Sequence, residues 1–254
     1  HILSEEIVGP SLGQKAVTSG LNSFIIAFII VMLYMIVYYG RPGITADFAL
    51  LANLFFIFGV LASFGAVLTL PGIAGVVLTI GMSVDANILI FERIREELRA
   101  GKALSLAVKD GYKNAYSAII DANITTLLIG IILFNFGVGP IQGFATTLII
   151  GILASLFSAI FITRLIFDSK VKRGKNIVFE TGLSRNAFKN VNIQFLSKRK
   201  IFYIISGILI VISLISLATR GLNPGIDFAG GRNYVVKFDK AVSSEEIAKA
   251  LKPV

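Results

Sequence analysis

Four long stretches of the chain contain no charged residue: 21–40, 48–84, 122–163 and 201–219. A helix needs about 20 apolar residues to cross the hydrocarbon core of a bilayer. The first and last stretches provide one span each and the third provides two. The second also provides two, because its apolar pattern resumes after Asp85. We therefore predict six transmembrane helices, near residues 21–39, 48–70, 72–91, 117–136, 141–167 and 201–217.

The basic residues indicate how these spans are oriented. Many of them lie between the third and fourth spans and between the fifth and sixth, whereas the turns at Pro71-Gly72 and Pro140 carry no charge. Because Lys and Arg are retained on the cytoplasmic side, the charged connections are predicted to be cytoplasmic and the two uncharged turns exoplasmic. The basic residues concerned are Arg93, Arg95, Arg99, Lys102, Lys109 and Lys113, and Lys170, Lys172, Arg173, Lys175, Arg185, Lys189, Lys198, Arg199 and Lys200.

The connection after the third span is predicted to continue as a helix. Opposite charges recur in it three or four residues apart, as in the pairs Glu92–Arg95 and Arg93–Glu97. Such pairs stabilise a helix outside the membrane. The basic segment 168–200 is interpreted instead as a cytoplasmic linker between two parts of the chain.

The pattern changes after Arg220. Residues 234–238 are typical of a strand, and 243–251 of a capped helix start, so we expect the opening of a soluble α/β domain outside the membrane. The predicted fold class is an all-α polytopic membrane helical bundle followed by the start of this exoplasmic α/β domain. The predicted units are the end of an exoplasmic domain and lead-in (1–20), a five-helix transmembrane region (21–167), the basic linker (168–200), the sixth helix (201–219) and the start of the outer domain (220–254).

Composition narrows the functional classes. The chain is 55% hydrophobic and only 15% charged, and its net charge of +9 comes from residues between the spans, which argues against nucleic-acid binding. It has no cysteine and a single histidine, His1, so we expect no metal or redox site, no cofactor and no enzymatic activity. Because the chain does not begin with methionine and stops within a predicted helix, we expect it to be an internal piece of a longer protein.

Asp85 is the ionisable residue that lies deepest in a predicted span. It stands six residues before Phe91, or roughly 9 Å inside the cytoplasmic end of the third span at 1.5 Å per residue. A charge at a helix centre costs on the order of 2.5–3.5 kcal/mol, and such residues usually mark ion or proton pathways. The alternative is a permanently protonated carboxyl that only packs against a neighbouring helix.

Polar residues on two spans could support Asp85. Four polar side chains open the fourth span, among them Asp121, Asn123 and Thr125, with Asp121 either lining a hydrated path or simply solvated at the interface. Asn123 and Thr125 are candidates for hydrogen bonds to Asp85, and Asn87 lies beside it in sequence. Small and polar residues also recur every four positions, which favours close helix packing; the two ridges are Gly75, Thr79, Ser83 and Asn87, and Gly143, Thr147, Gly151, Ser155 and Ala159.

A glycine-rich segment follows the sixth span. Gly225, Gly230 and Gly231 allow tight turns, and Asp227 could cap one of them, so the segment is interpreted as a rigid joint between helix and outer domain. Its glycine spacing does not match phosphate or dinucleotide loops.

Several of these strings resemble one family. Residues 70–75 and 81–97, which include Gly81-Met82-Ser83-Val84-Asp85-Ala86-Asn87, are similar to the fourth-helix motif of SecD, a bacterial protein-export membrane protein. Residues 121–126 and 136–145 resemble its fifth and sixth helices, and 9–13 the approach to its second. Residues 225–231 are similar to the signature after the first helix of SecF. Together they resemble the fused SecD/SecF arrangement of the resistance–nodulation–division superfamily.

The resemblance implies two pseudo-symmetric six-helix halves with large outer domains in the periplasm. It implies that Asp85 is the acidic residue of a proton pathway that continues on helices absent here. The function implied is a proton-motive-force-driven accessory subunit of the Sec translocon in the bacterial cytoplasmic membrane. Its implied partners are a SecYEG-like channel, a YidC-like insertase, unfolded polypeptide, lipid and protons. The alternatives are a lipid or drug exporter of the same superfamily, or a non-conducting assembly scaffold.

Overall fold

The computed structural model describes residues 10–185, 196 and 198–223 of the 254-residue chain. The chain divides into two compact units, His1–Asn190 and Val191–Val254. All regular structure in the described residues is helical. In the first unit the helices are α1 (Pro10–Tyr39), α2 (Arg41–Ser63), α3 (Leu70–Arg99), α4 (Leu104–Phe136), α5 (Pro140–Phe157) and α6 (Thr163–Lys172), with a π-helical turn at Ser158–Ile162 between α5 and α6; the second unit contains α7 (Arg199–Arg220).

Six of these helical segments are long and apolar enough to cross a membrane, as the sequence predicts. The fifth is the continuous segment Pro140–Lys172, which joins α5, the π-helical turn and α6. Many large apolar side chains point outward, such as Phe55 at 74% exposure and Leu165 at 74%. In a multi-pass membrane protein this surface contacts lipid, so the exposed apolar side chains are compatible with the fold.

Helices α2 and α3 each have a proline in their first turn. Proline at the first helical positions suits a helix start, because its missing N–H would have no intrahelical partner there. Accordingly Pro42 opens α2, and the chain turns at Gly40, whose φ is +66°. Pro71 likewise lies in the first turn of α3, where the Thr69 hydroxyl accepts a hydrogen bond from the Gly72 amide at 3.1 Å. The prediction of a turn at Pro71-Gly72 is therefore wrong, and residues 64–69 make the connection.

α3 is the central helix of the first unit and packs against α1, α2, α4 and α5. The two predicted ridges meet where α3 crosses α5. A side chain at Gly75 would collide with Thr147, and one at Gly151 would collide with Thr79. Thr79, Ser83, Thr147 and Ser155 are all buried. The ridges therefore pack the two helices closely, as their spacing predicts.

Part of the predicted linker is packed against the first unit. Residues 168–172 complete α6, and the segment that follows folds back so that the Phe179 ring lies 5.7 Å from Phe91 and 5.3 Å from Phe167. Phe179 is only 1% exposed, and Ile177 is also buried. We call residues 175–185 the cap segment. Sequence polarity alone predicts a linker here because only two apolar residues anchor the segment.

The described residues include the predicted sixth span but not the predicted elements of the outer domain. α7 confirms the predicted sixth span (201–217), beginning two residues before it and ending three residues after it. The strand at 234–238, the helix start at 243–251 and the joint residues Gly225, Asp227, Gly230 and Gly231 lie outside the described residues.

Candidate functional site

Asp85 lies on a groove between α3 and α4. The buried ridge of α3 faces α5, whereas Asp85 projects from the other side of the helix and is exposed. The groove has a volume of about 240 Å³. We call it the Asp85 groove; it is lined by Met82, Asp85, Ala86 and Leu89 of α3 and by Ala118, Ile119, Ala122, Asn123 and Thr126 of α4.

Two polar side chains of α4 share the groove with Asp85. Asn123 is 9% exposed, and its amide nitrogen donates to the carbonyl oxygen of Ile119 at 2.8 Å. The Thr126 hydroxyl donates to the carbonyl oxygen of Ala122 at 3.1 Å. Both of these hydrogen bonds lie within α4, and across residues 10–185 no hydrogen bond or ion pair joins Asp85 to another side chain. The groove therefore places the Asp85 carboxyl beside polar side chains that are not bonded to it.

The other predicted residues do not line the groove. Asn87 is buried on the α3 ridge, where its amide nitrogen donates to the carbonyl oxygen of Ser83 at 3.1 Å. Asp121 and Thr125 are exposed on α4, and the Thr125 hydroxyl donates to the carbonyl oxygen of Asp121 at 3.0 Å. Thr125 and Asn123 lie two positions apart on a helix and so face different sides. The structure therefore places Asp85 and Asn123 in the same groove, but neither Asn123 nor Thr125 forms the predicted hydrogen bond to Asp85.

Sequence reasoning missed two buried polar residues of α2. Asp47 is 4% exposed and Asn53 is fully buried, and the side-chain oxygens of both lack a hydrogen-bond partner among the described residues. In the sequence Asp47 directly precedes the charge-free stretch 48–84, so the predicted span begins at Phe48 and leaves Asp47 outside it. The signal that could have found it is Pro42 after Gly40, which moves the start of α2 to Arg41 and puts Asp47 inside the span.

A buried cation anchors the end of α3 that is predicted to be cytoplasmic. Arg95 is 4% exposed; its guanidinium donates to Glu92 at 2.6 Å and to the carbonyl oxygen of Ser184 in the cap segment at 3.0 Å. The Tyr39 hydroxyl also donates to Glu92, at 3.0 Å. The predicted Glu92–Arg95 pair is confirmed, and it joins α1, α3 and the cap segment.

In the predicted Arg93–Glu97 pair, each residue contacts a different partner instead. Arg93 bonds Glu96 at 2.7 Å rather than Glu97. Glu97 instead contacts Lys102 at 2.7 Å, and Lys102 also reaches Asp110 at 2.5 Å. Hydrogen bonds to Asp110 and Glu97 raise the pKa of the Lys102 ammonium above its usual value. The turn between α3 and α4 is thus closed by ionic contacts that sequence spacing alone does not select.

These features define a multi-pass membrane protein that carries a carboxyl inside one of its spanning helices. Residues 1–172 match the family model described as "Protein export membrane protein SecD/SecF, C-terminal", and residues 215–242 match the "SecD/SecF GG Motif". The chain belongs to the SecD/SecF family, as the resemblance of its motifs predicts.

Individual relatives agree with this assignment. The chain is 59% identical over 177 residues to the protein translocase subunit SecD of Rhodothermus marinus, covering 70% of this chain and 28% of that protein. It is 57% identical over 167 residues to SecD of Desulfurispirillum indicum, covering 66% of this chain and 32% of that protein. The crystal structure of SecDF, a translocon-associated membrane protein from Thermus thermophilus, matches 97% of this chain and 34% of its own, with a TM-score of 0.87 and 35% identity. The chain thus spans about a third of the length of these relatives.

Proposed function

We propose that this chain is part of a proton-motive-force-driven accessory subunit of the Sec translocon, which promotes protein translocation across the bacterial cytoplasmic membrane. The observation that carries the proposal is the Asp85 groove, where a carboxyl inside a spanning helix lies beside Asn123 and forms no hydrogen bond or ion pair within residues 10–185. The relatives are named as translocase subunits, and the structural relative is described as translocon-associated. Both descriptions favour an accessory role in transport over an enzymatic one.

The exposure of Asp85 indicates what should cover it. A carboxylate that faces hydrocarbon is unfavourable by several kcal/mol, so the groove must meet water or another part of the protein. The chain represents about a third of its relatives' length. We propose that the second six-helix half covers the groove and supplies the remaining proton-pathway residues. In this arrangement Asp85 exchanges protons with water on either side of the membrane in turn.

Protonation of Asp85 would change the conformational preference of the groove. The ionised carboxyl favours a hydrated, open groove, and the neutral acid tolerates a closed, dry one. Moving one charge across 100 mV is worth about 2.3 kcal/mol, which is enough to bias a two-state change of a few kcal/mol. In this proposal, helix motion is transmitted to an outer domain in the periplasm through the joint at Gly225, Asp227, Gly230 and Gly231. That domain would act on unfolded polypeptide leaving a SecYEG-like channel, with a YidC-like insertase as a further partner.

Asp85→Asn tests this proposal in the full-length protein. Inverted membrane vesicles containing the Sec channel allow the translocation rate to be measured with and without a membrane potential. We expect Asp85→Asn to remove the part of the rate that depends on the potential, because an amide cannot exchange a proton. Glu96→Gln is the matched control, because Glu96 is exposed in the last turn of α3 and outside the Asp85 groove.

Two results separate the alternatives. An unchanged response to the potential in Asp85→Asn, with normal insertion and assembly, would reject proton coupling and leave an assembly scaffold. Loss of assembly in the same variant would point to packing, and Asp85→Glu, which keeps an exchangeable proton, should then restore assembly and coupling together if the proposal is correct.

A further inference from the structure

A second groove lies near the end of α4 that is predicted to be cytoplasmic. It consists of two adjoining cavities of about 280 and 220 Å³ that share Lys109, Tyr112 and Arg164. We call it the basic cleft. Its walls come from the first turns of α4 on one side and from the π-helical turn and α6 on the other.

The cleft is strongly cationic. Lys109, Lys113, Arg164 and Lys172 line it, and Asp168 is its one acidic lining residue. Arg164 approaches Asp168 only at 3.8 Å, and both side chains are about half exposed. Within residues 10–185 the three lysines form no ion pair, whereas nearby Lys102 contacts two carboxylates. The cleft therefore presents three lysines that form no ion pair within residues 10–185.

A buried hydrogen bond joins the two walls of the cleft. Tyr112 is only 5% exposed, and its hydroxyl shares a 2.6 Å hydrogen bond with the Thr163 hydroxyl across the two walls. The Arg164 guanidinium lies 5.9 Å from the centre of the Tyr112 ring, in the range of a cation–π contact. This contact holds one cation over a fixed aromatic surface, so the site is organised before any ligand arrives.

The inner end of the cleft is apolar. Ile90, Ile119 and Ile160 line the larger cavity, and Tyr116 at its edge is 53% exposed. Lys109 and Lys113 precede the predicted fourth span (117–136), and Lys172 follows the predicted fifth span (141–167). Arg164 lies in the last turn of the fifth span, so the cations lie at the predicted cytoplasmic edge of the hydrocarbon region. Lysine, arginine and tyrosine at this depth are typical of the headgroup level of a membrane.

We propose that the basic cleft binds the headgroup of an anionic phospholipid. Basic pockets between transmembrane helices on the cytoplasmic side are suited to such headgroups. Lys109, Lys113 and Arg164 would contact the phosphate, and an acyl chain would lie along Ile119 and Ile160. A soluble acidic peptide would use the cations but not the adjacent apolar wall, which favours the lipid. The proposal does not depend on proton coupling at Asp85.

Lipid retention by the full-length protein tests the proposal. The protein is equilibrated in detergent with equal amounts of phosphatidylglycerol and phosphatidylethanolamine, and retained lipid is counted by native mass spectrometry. We expect selective retention of phosphatidylglycerol, and a roughly tenfold loss of that selectivity in Lys109→Gln/Lys113→Gln. Lys109→Arg/Lys113→Arg should keep it. Lys198→Gln/Lys200→Gln, which removes two exposed cations at the start of α7, is the matched control.

Three results would overturn the proposal. The first is equal retention of the two lipids by the unaltered protein, and the second is an equal loss in the α7 control, because both would mean general surface attraction. The third is displacement of the lipid by excess inorganic phosphate, which would indicate a site for free anions. A second experiment replaces Tyr116 with a photoreactive residue and crosslinks it in native membranes. A lipid adduct supports the proposal, whereas a protein adduct overturns it in favour of a protein-docking surface.

Discussion

At the scale of single residues, Asp85 and Asp121 show why position on a helix matters more than residue type. Both are carboxyls in or near a spanning segment, and both were candidates for the proton pathway. The structure puts Asp85 in a groove with Asn123, whereas Asp121 is exposed on another face of α4. The same carboxyl chemistry therefore meets two environments, and Asp85 is the carboxyl that shares a groove with a buried polar side chain of a second helix.

This difference leads to a prediction for Asp121. In the vesicle assay with full-length protein, Asp121→Asn should leave the potential-dependent part of the translocation rate within about twofold of the unaltered protein, which is below 0.5 kcal/mol in the barrier. The reason is that an exposed carboxyl outside the Asp85 groove does not have to carry the proton. A loss as large as that expected for Asp85→Asn would place Asp121 in the pathway.

At the scale of elements, the contact between α3 and α5 depends on glycine. A methyl group at Gly151 would collide with the Thr79 side chain, which is fully buried and cannot move away easily. Gly59 in α2 has no atom within 4 Å of the same position. The two glycines therefore offer a comparison in which the chemical change is identical and only the packing differs.

Gly151→Ala should destabilise the first unit by about 1–3 kcal/mol, because the added methyl overpacks the α3–α5 contact. Gly59→Ala should be neutral or slightly stabilising, since alanine favours the helix by up to about 1 kcal/mol. Unfolding in mixed micelles of increasing denaturing detergent, followed by circular dichroism, measures both. Equal effects of the two substitutions would mean that the α3–α5 contact is not as close as the structure indicates.

At the scale of the whole molecule, the cap segment ties the predicted cytoplasmic ends of several helices together. Thr181 donates to the carbonyl oxygen of Val37 at 2.9 Å, and Arg95 reaches the carbonyl oxygen of Ser184. Phe179 fills the space between Phe91 and Phe167. The first unit is thus closed at one end by a segment that follows its last helix.

Phe179→Ala should destabilise the first unit by about 3–5 kcal/mol, the usual cost of removing a buried phenylalanine ring. It should also raise hydrogen exchange in the cap segment, because the ring is its main apolar anchor. Val178→Ala is the control, since Val178 is adjacent and 49% exposed. Unfolding in denaturing detergent and exchange measured by mass spectrometry check the two effects. Similar losses in both variants would contradict the anchoring role of Phe179.

The number and order of the spans, the two packing ridges and the position of Asp85 inside the third span could be predicted from sequence. These features depend on local composition: a span needs only length and apolarity, and close packing needs only small residues at regular spacing. The same local reasoning misplaced the turn at Pro71 and overlooked Asp47. Residues in the first turn of a helix and in the loop just before it have similar polarity, so hydropathy does not fix where the helix begins.

Only the tertiary structure decided which polar residues meet. In lipid, apolar side chains are favourable on every side of a helix, so hydropathy does not indicate which face is inside. That Asn123 rather than Thr125 shares a groove with Asp85, and that Phe179 closes one end of the bundle, depends on contacts between distant parts of the chain. The amino-acid sequence by itself determined a six-span membrane protein of the SecD/SecF family, and helix packing decided where its charged and polar groups can act.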